Sequence, residues 1–156
     1  MGMAEGGTGE DGASEVKGRE GGVKAKEIGY WILTGLLAAE LLTGGVWDVA
    51  RTHYVVGVVT GLGYPVYLLP IVGVWKLLAV PAVLVPGFGR IKEWAYAGIF
   101  FEMSGAAASH AACSQWTEAI VPLIIAALAM ASWALRPPRR TLGVLFAANA
   151  REGERI

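Results

Sequence analysis

The chain has 156 residues, one domain's length, with 54% hydrophobic and 17% charged residues and a formal net charge of zero. A soluble domain carries roughly a quarter charged residues and at this size has too little interior to hide so much apolar surface, so lipid must supply the missing solvent. The charge balance offers no case for a nucleic-acid partner, and the single cysteine, Cys113, excludes an internal disulfide or a multi-cysteine metal site.

Residues 1–27, MGMAEGGTGEDGASEVKGREGGVKAKE, are rich in Gly, Glu and Lys and hold no aromatic residue. Such a segment buries too little to offset its ordering entropy and is expected to be a disordered tail. A long mixed-charge stretch precedes any apolar run, so it does not read as a secretory signal. Apolar segments follow at 28–49, 64–85, 94–112 and 117–135. Each has the length that carries a helix across a hydrocarbon core of about 30 Å, and none alternates with period two as a barrel strand would. Tyr30, Trp31, Trp47, Tyr64, Trp94, Tyr96, Trp116 and Trp133 fall near the segment ends, the depth at which amphipathic rings suit the interface. Arg136-Pro137-Pro138 stops the last segment and opens a tail over 137–156. Within it the apolar stretch 141–150 is too short to span, and either lies on the membrane surface or has no order.

Orientation follows from Lys and Arg. Lys17, Arg19, Lys24 and Lys26 precede the first segment, Arg90 and Lys92 lie between the second and third, and Arg136, Arg139 and Arg140 follow the fourth. The other loops hold only Arg51. Four spans put all three basic regions on one side. The expectation is an all-α, up-down-up-down, four-helix transmembrane bundle over 28–136, with both termini cytoplasmic.

Glu40, Lys76 and Glu102 fall mid-span, and His110 nearer the outer end. A charge at the bilayer centre costs roughly 2.5–3.5 kcal/mol on insertion scales, so such residues face the bundle interior and find partners. Counted along the helices, Lys76 and Glu102 stand about 13 and 12 Å from the cytoplasmic face, and Glu40 about 18 Å. The level depths predict a Lys76–Glu102 ion pair, with Glu40 as a second acceptor. Gly98, Glu102, Gly105 and Ser109 share one helical stripe, and Gly73 precedes Lys76 by one turn, so Gly73, Gly98 and Gly105 are expected to let helices pack closely. Glu40, Thr43, Gly44, Trp47 and Asp48 line up likewise on the first helix. The polar cluster of Lys76, Glu102, Glu40, His110 and Ser109 either locks helix register or forms a site. No catalytic residue and no metal site is read here: His53 and His110 are far apart, and Cys113 is an outer-loop residue. The Gly57–Gly61 spacing falls in the first loop and is set aside.

The run LGYPVYLLPIVGVWKLLAVPAVLVPGFGRIKEWAYAGIFFEMSGAAASH resembles the DoxX-like family of small bacterial membrane proteins. The matching pieces are Gly63-Tyr64-Pro65, Lys76-Leu77-Leu78, Pro86-Gly87, Lys92 through Gly98, and Gly105-Ala106 with Ser109-His110. The opening YWILTGLLA also fits, so the resemblance covers about residues 28–136. Glu40 has no counterpart in that pattern. The resemblance implies a four-helix, multi-pass protein of the cell inner (plasma) membrane. Its functional content is looser. The family is named for a subunit associated with a thiosulfate:quinone oxidoreductase, and relatives are linked to oxidative-stress complexes, cargo receptors and receptor assembly.

Three functions are weighed. The leading one is a non-catalytic membrane subunit or assembly factor, with the bilayer, other membrane subunits or a homo-oligomer as partners and no cofactor of its own. The runner-up is a quinone-linked redox component, with quinone as the cofactor and a redox partner supplying the electron carrier. The third is a small-molecule or proton carrier, since midplane charges mark such pathways.

Overall fold

The computed structural model describes the backbone of residues 9–137 and the side chains of 21–137. Among the described residues there are five α-helices and no strand: α1 Gly9–Val49, α2 His53–Gly61, α3 Leu68–Leu84, α4 Gly89–Ala112 and α5 Ile120–Ala134. One helical stretch among them, Gly21–Val49, is both long and apolar enough to cross a membrane, with 29 residues and a mean hydropathy of 1.4. Leu68–Leu84 and Ile120–Ala134 are apolar but shorter.

These bounds depart from the sequence expectation in three places. First, α1 starts at Gly9, so the backbone over 9–27 is helical where a disordered tail is expected. A helix already nucleated extends by one hydrogen bond per residue fixed, and Ala, Glu and Lys are good helix formers. Residues 1–8, and the 141–150 stretch with most of the C-terminal tail, lie outside the described residues. Second, the loop before the second span contains a helix, α2, which buries none of its residues. Third, the spans move: α3 begins after a turn at Tyr64–Tyr67, and α4 starts five residues before Trp94.

Pro86 ends α3, and the chain reverses through Gly87 at φ 86° and Phe88 at φ 44°. The first is a conformation glycine adopts freely. The last carbonyls of α3 then find an unexpected donor. Lys92, fully buried, donates from Nζ to Ala82 O at 2.8 Å and Val83 O at 2.9 Å. A cation on a helix C-terminus satisfies orphan carbonyls and complements the helix dipole. The lysine read from sequence as a cytoplasmic charge marker is thus also a cap.

Helix α1 packs on α3 and α5, and α4 packs on α5 and α3, so four helices close a ring with α2 against α3. Bonded pairs show the directions. Thr34, near the start of the apolar half of α1, meets late α5 at Ser132, early α4 meets late α5 at Tyr96–Ser132, and early α4 meets late α3 through Lys92. Each of these pairs is antiparallel. The core consists of Leu37 and Leu41 of α1, Val83 of α3, Tyr96, Ile99 and Met103 of α4, and Ala126 and Ala129 of α5.

The closest approach joins α1 to α3 through Gly45 and Gly73. A Cβ on Gly73 would stand 2.8 Å from Gly45 O and 2.9 Å from Asp48 Cβ. Gly73 therefore does the packing work expected of it. Gly98 and Gly105 do not: a Cβ at either would meet nothing within 4 Å. Their stripe on α4 faces open space, because α4 is held by α5 and by Lys92 and leaves a gap beside α3. Replacing Gly73 with Ala should cost about 1–3 kcal/mol through overpacking. Gly105→Ala should change stability by no more than about 0.5 kcal/mol. Thermal unfolding of both variants in detergent checks the contrast.

Candidate functional site

Lys76, in the middle of α3, extends its stem along α1 so that its ammonium lies beside Gly44. Nζ donates to Asp48 Oδ2 at 2.9 Å and stands 3.3 Å from Glu102 Oε1 of α4. The lysine and aspartate side chains are nearly buried, and Glu102 is about a quarter exposed. A Cβ at Gly44 would stand 3.4 Å from Glu40 Oε1 and 3.6 Å from Lys76 Nζ, ordinary contact distances, so both groups lie against this part of α1. Glu40 Oε2 is buried without a hydrogen-bond partner. One ammonium therefore joins α1, α3 and α4, with Glu40, Gly44 and Asp48 at i, i+4 and i+8 on the α1 face.

The structure thus places Lys76 against Glu102, brings Glu40 alongside, and adds Asp48 as the nearest partner. Asp48 stands eight residues beyond Glu40, a Cα rise of about 12 Å. Counting depth at Cα level hides it, because a lysine stem carries its charge well away from its own backbone position. The signal was present in the α1 stripe ending at Asp48.

Ser109 and His110 sit apart from the ion cluster, at the far end of α4. Ser109 Oγ donates to Gly105 O at 2.9 Å and so accepts from Tyr64 OH at 2.8 Å, tying the turn before α3 to α4. His110 Nδ1 lies 2.8 Å from Gln115 Oε1 in the turn before α5, rather than across helices.

Two cavities connect these groups. One, of about 460 Å³, lies between α3 and α4 and is lined by Trp75, Ala79, Trp94 and Gly98 together with Lys76 and Glu102. The other, of about 440 Å³, lies between α2, α3 and α4, with Asp48, Tyr54, Phe101, Gly105, Ser109 and His110 on its wall. Val72, Lys76 and Glu102 line both. The two glycines expected to pack helices instead supply the cavities' open volume.

A second polar layer escaped the sequence reading. Tyr30, expected at the interface, is fully buried, and Tyr96 nearly so. Buried Thr34, Tyr96 and Ser132 join α1, α4 and α5, with Ser132 Oγ 2.8 Å from Thr34 Oγ1 and 2.9 Å from Tyr96 OH. Just below, Arg136 Nη2 donates to Glu93 Oε1 at 2.7 Å and Trp133 Nε1 to Glu93 Oε2 at 2.8 Å, while the guanidinium stacks 5.2 Å from the Tyr96 ring centre. The Tyr30, Thr34, Leu37, Leu41 spacing along α1 is the helical stripe that marks this layer.

A model of one family of proteins, the DoxX-like family, matches residues 32–132, which take in both cavities, the ion cluster and the Thr34–Tyr96–Ser132 layer. The chain belongs to the DoxX-like family. No curated protein and no solved structure matches it. Membership points to a membrane protein of that family, and the matched residues of this DoxX-like chain are those that its buried polar groups tie together.

Glu93 immediately precedes Trp94, where the third apolar segment begins. Partial burial pushes its carboxyl upward, but hydrogen bonds from Trp133 and Arg136 and the charge of Arg136 outweigh that and hold it below its ordinary value. Its contribution to stability is therefore complete above the ordinary carboxylate value of about 4.3 and fades as acid takes the pH down through the lowered one. Glu93→Gln should unfold at a lower temperature at pH 7, by an amount on the order of 0.2–1 kcal/mol, and the gap should close in acid. Melting curves from pH 7 to 3 in detergent measure it.

Proposed function

We propose that this DoxX-like chain is a multi-pass protein of the inner membrane, a four-helix, up-down-up-down bundle with cytoplasmic termini, serving as a non-catalytic subunit or assembly factor of a larger membrane complex. The observation that carries this reading is the division of labour between inside and outside. The polar side chains at mid-helix tie helices to one another: Lys76 with Asp48 and Glu102, and Thr34, Tyr96 and Ser132 together. Along the apolar stretches of the helices large apolar side chains face outward, with Ile32, Leu78, Phe101 and Ile124 exposed. That is a scaffold satisfied from within and coated for lipid or for other transmembrane helices.

The short helices are compatible with spanning. The 15 residues of α5 rise about 22 Å, and the turn before it adds the rest of a thin hydrocarbon layer. The basic residues fall on the side where Lys92 and Arg136 lie, the cytoplasmic side by charge bias.

Cys113, exposed in the turn after α4, tests the orientation directly. In intact cells with the outer membrane permeabilised, a membrane-impermeant maleimide should label Cys113. A Cys113→Ser protein carrying Lys26→Cys should label only after the inner membrane is broken. The reverse pattern excludes this topology. For the subunit role, purification from native membranes in mild detergent should retain one or more membrane proteins in fixed proportion. A pure chain with no partner, recovered at the same yield, counts against it.

A further inference from the structure

The wall of the cavity between α2, α3 and α4 has more acceptors than donors. Lys76 supplies three N–H donors, and Asp48 and Glu102 engage two of them. Against that one ammonium stand two carboxylates of the same lining, Asp48 and Glu102, so the formal charge of the lining is minus one, with Glu40 outside it. Glu40 Oε2 is buried without a partner, and Asp48 and Glu102 each keep a second oxygen that no contact to Lys76 uses. An anionic ligand could reach only the third N–H of Lys76, against the charge of the two carboxylates beside it. A small metal ion is also disfavoured, because the ammonium already occupies the point where the carboxylates converge. What the wall lacks is a positive charge arriving from the cavity side.

The cavity between α2, α3 and α4 is shaped for a large, apolar carrier of that charge. Its 440 Å³ falls within the range of about 300–1,000 Å³ typical of small-molecule pockets. Much of its lining is aliphatic, including Val55, Val59, Leu62 and Leu69, and Tyr54, Tyr64 and Phe101 add aromatic rings, groups whose faces attract cations. Asp48 and Glu102 are its carboxylates.

We propose that this cavity binds a lipophilic organic cation, an amine or onium group with aromatic or aliphatic substituents, whose charge lies against Asp48 and Glu102 and whose body fills the space left by Gly105. The inference stands independently of the subunit role, since it concerns an occupant of the chain's own cavity.

Three probes of graded charge separate the outcomes: tetraphenylphosphonium, its anionic counterpart of the same shape tetraphenylborate, and neutral decylubiquinone. Each is titrated into purified protein in zwitterionic nanodiscs by equilibrium dialysis, with empty nanodiscs subtracted. Tetraphenylphosphonium should bind saturably at one site, and Glu102→Gln should weaken it at least tenfold. Because that substitution also touches the ion cluster, Gly105→Leu provides the second variant. It fills the cavity from a position with nothing within 4 Å, so the melting temperature should hold while binding is lost. Gly98→Leu, in the other cavity, should leave binding unchanged. Saturable binding of the borate or the quinone in place of the phosphonium overturns the proposal, as does phosphonium binding that survives Gly105→Leu or never saturates.

Discussion

An ammonium group in the middle of an apolar helix has to meet carboxylates before that helix can pack against its neighbours. Lys76 is such a group, and the arrangement of α1, α3 and α4 follows from how it is met. Its partners come from two other helices, Asp48 from α1 and Glu102 from α4. Bringing Asp48 within reach requires α1 and α3 to touch at backbone distance, which Gly45 and Gly73 permit. The ammonium rests against the α1 surface at Gly44, between Glu40 and Asp48. The tight α1–α3 contact and the buried charge are one feature seen from two sides.

The remaining helices are organised by milder polar contacts. Thr34, Tyr96 and Ser132 meet below the charge cluster, and Lys92 caps α3. These fix α4 at its early end against α5 and α3, while the cluster and the Tyr64–Ser109 bond hold it farther along. Between those ties the face of α4 carrying Gly98 and Gly105 has no Cβ to fill the space toward α3, and the cavities result. Small residues on a helix thus have two opposite outcomes here. Gly73 meets a backbone and closes a contact; Gly98 and Gly105 meet none and open a volume.

That ambiguity explains what could and could not be read in advance. Helical character and the pairing of Lys76 with Glu102 follow from segment length and rise per residue, both properties of single helices. The helical extension before Ile28 and the short α2 escaped because composition measures burial, and neither residues 21–27 nor α2 are buried. Asp48 escaped because a lysine's charge was counted at its Cα. Lys92 and Tyr96 were assigned to the interface by position along the chain, whereas each is buried by a neighbour contributed by another helix. What a stripe of glycines does depends likewise on whether a second helix arrives, and no single-helix pattern contains that information.

A double-mutant cycle between Asp48 and Lys76, measured as unfolding free energy in lipid nanodiscs, tests the central claim most directly. Lys76→Met leaves Asp48 and Glu102 without their cation, a loss of about 3–5 kcal/mol where a buried pair is broken, and Asp48→Asn leaves Lys76 to Glu102 alone, a smaller loss. The double variant removes both charges, so the account predicts a combined loss well below the sum of the two. Single losses that simply add would show that the two groups do not sense each other, and that something else holds α1 against α3.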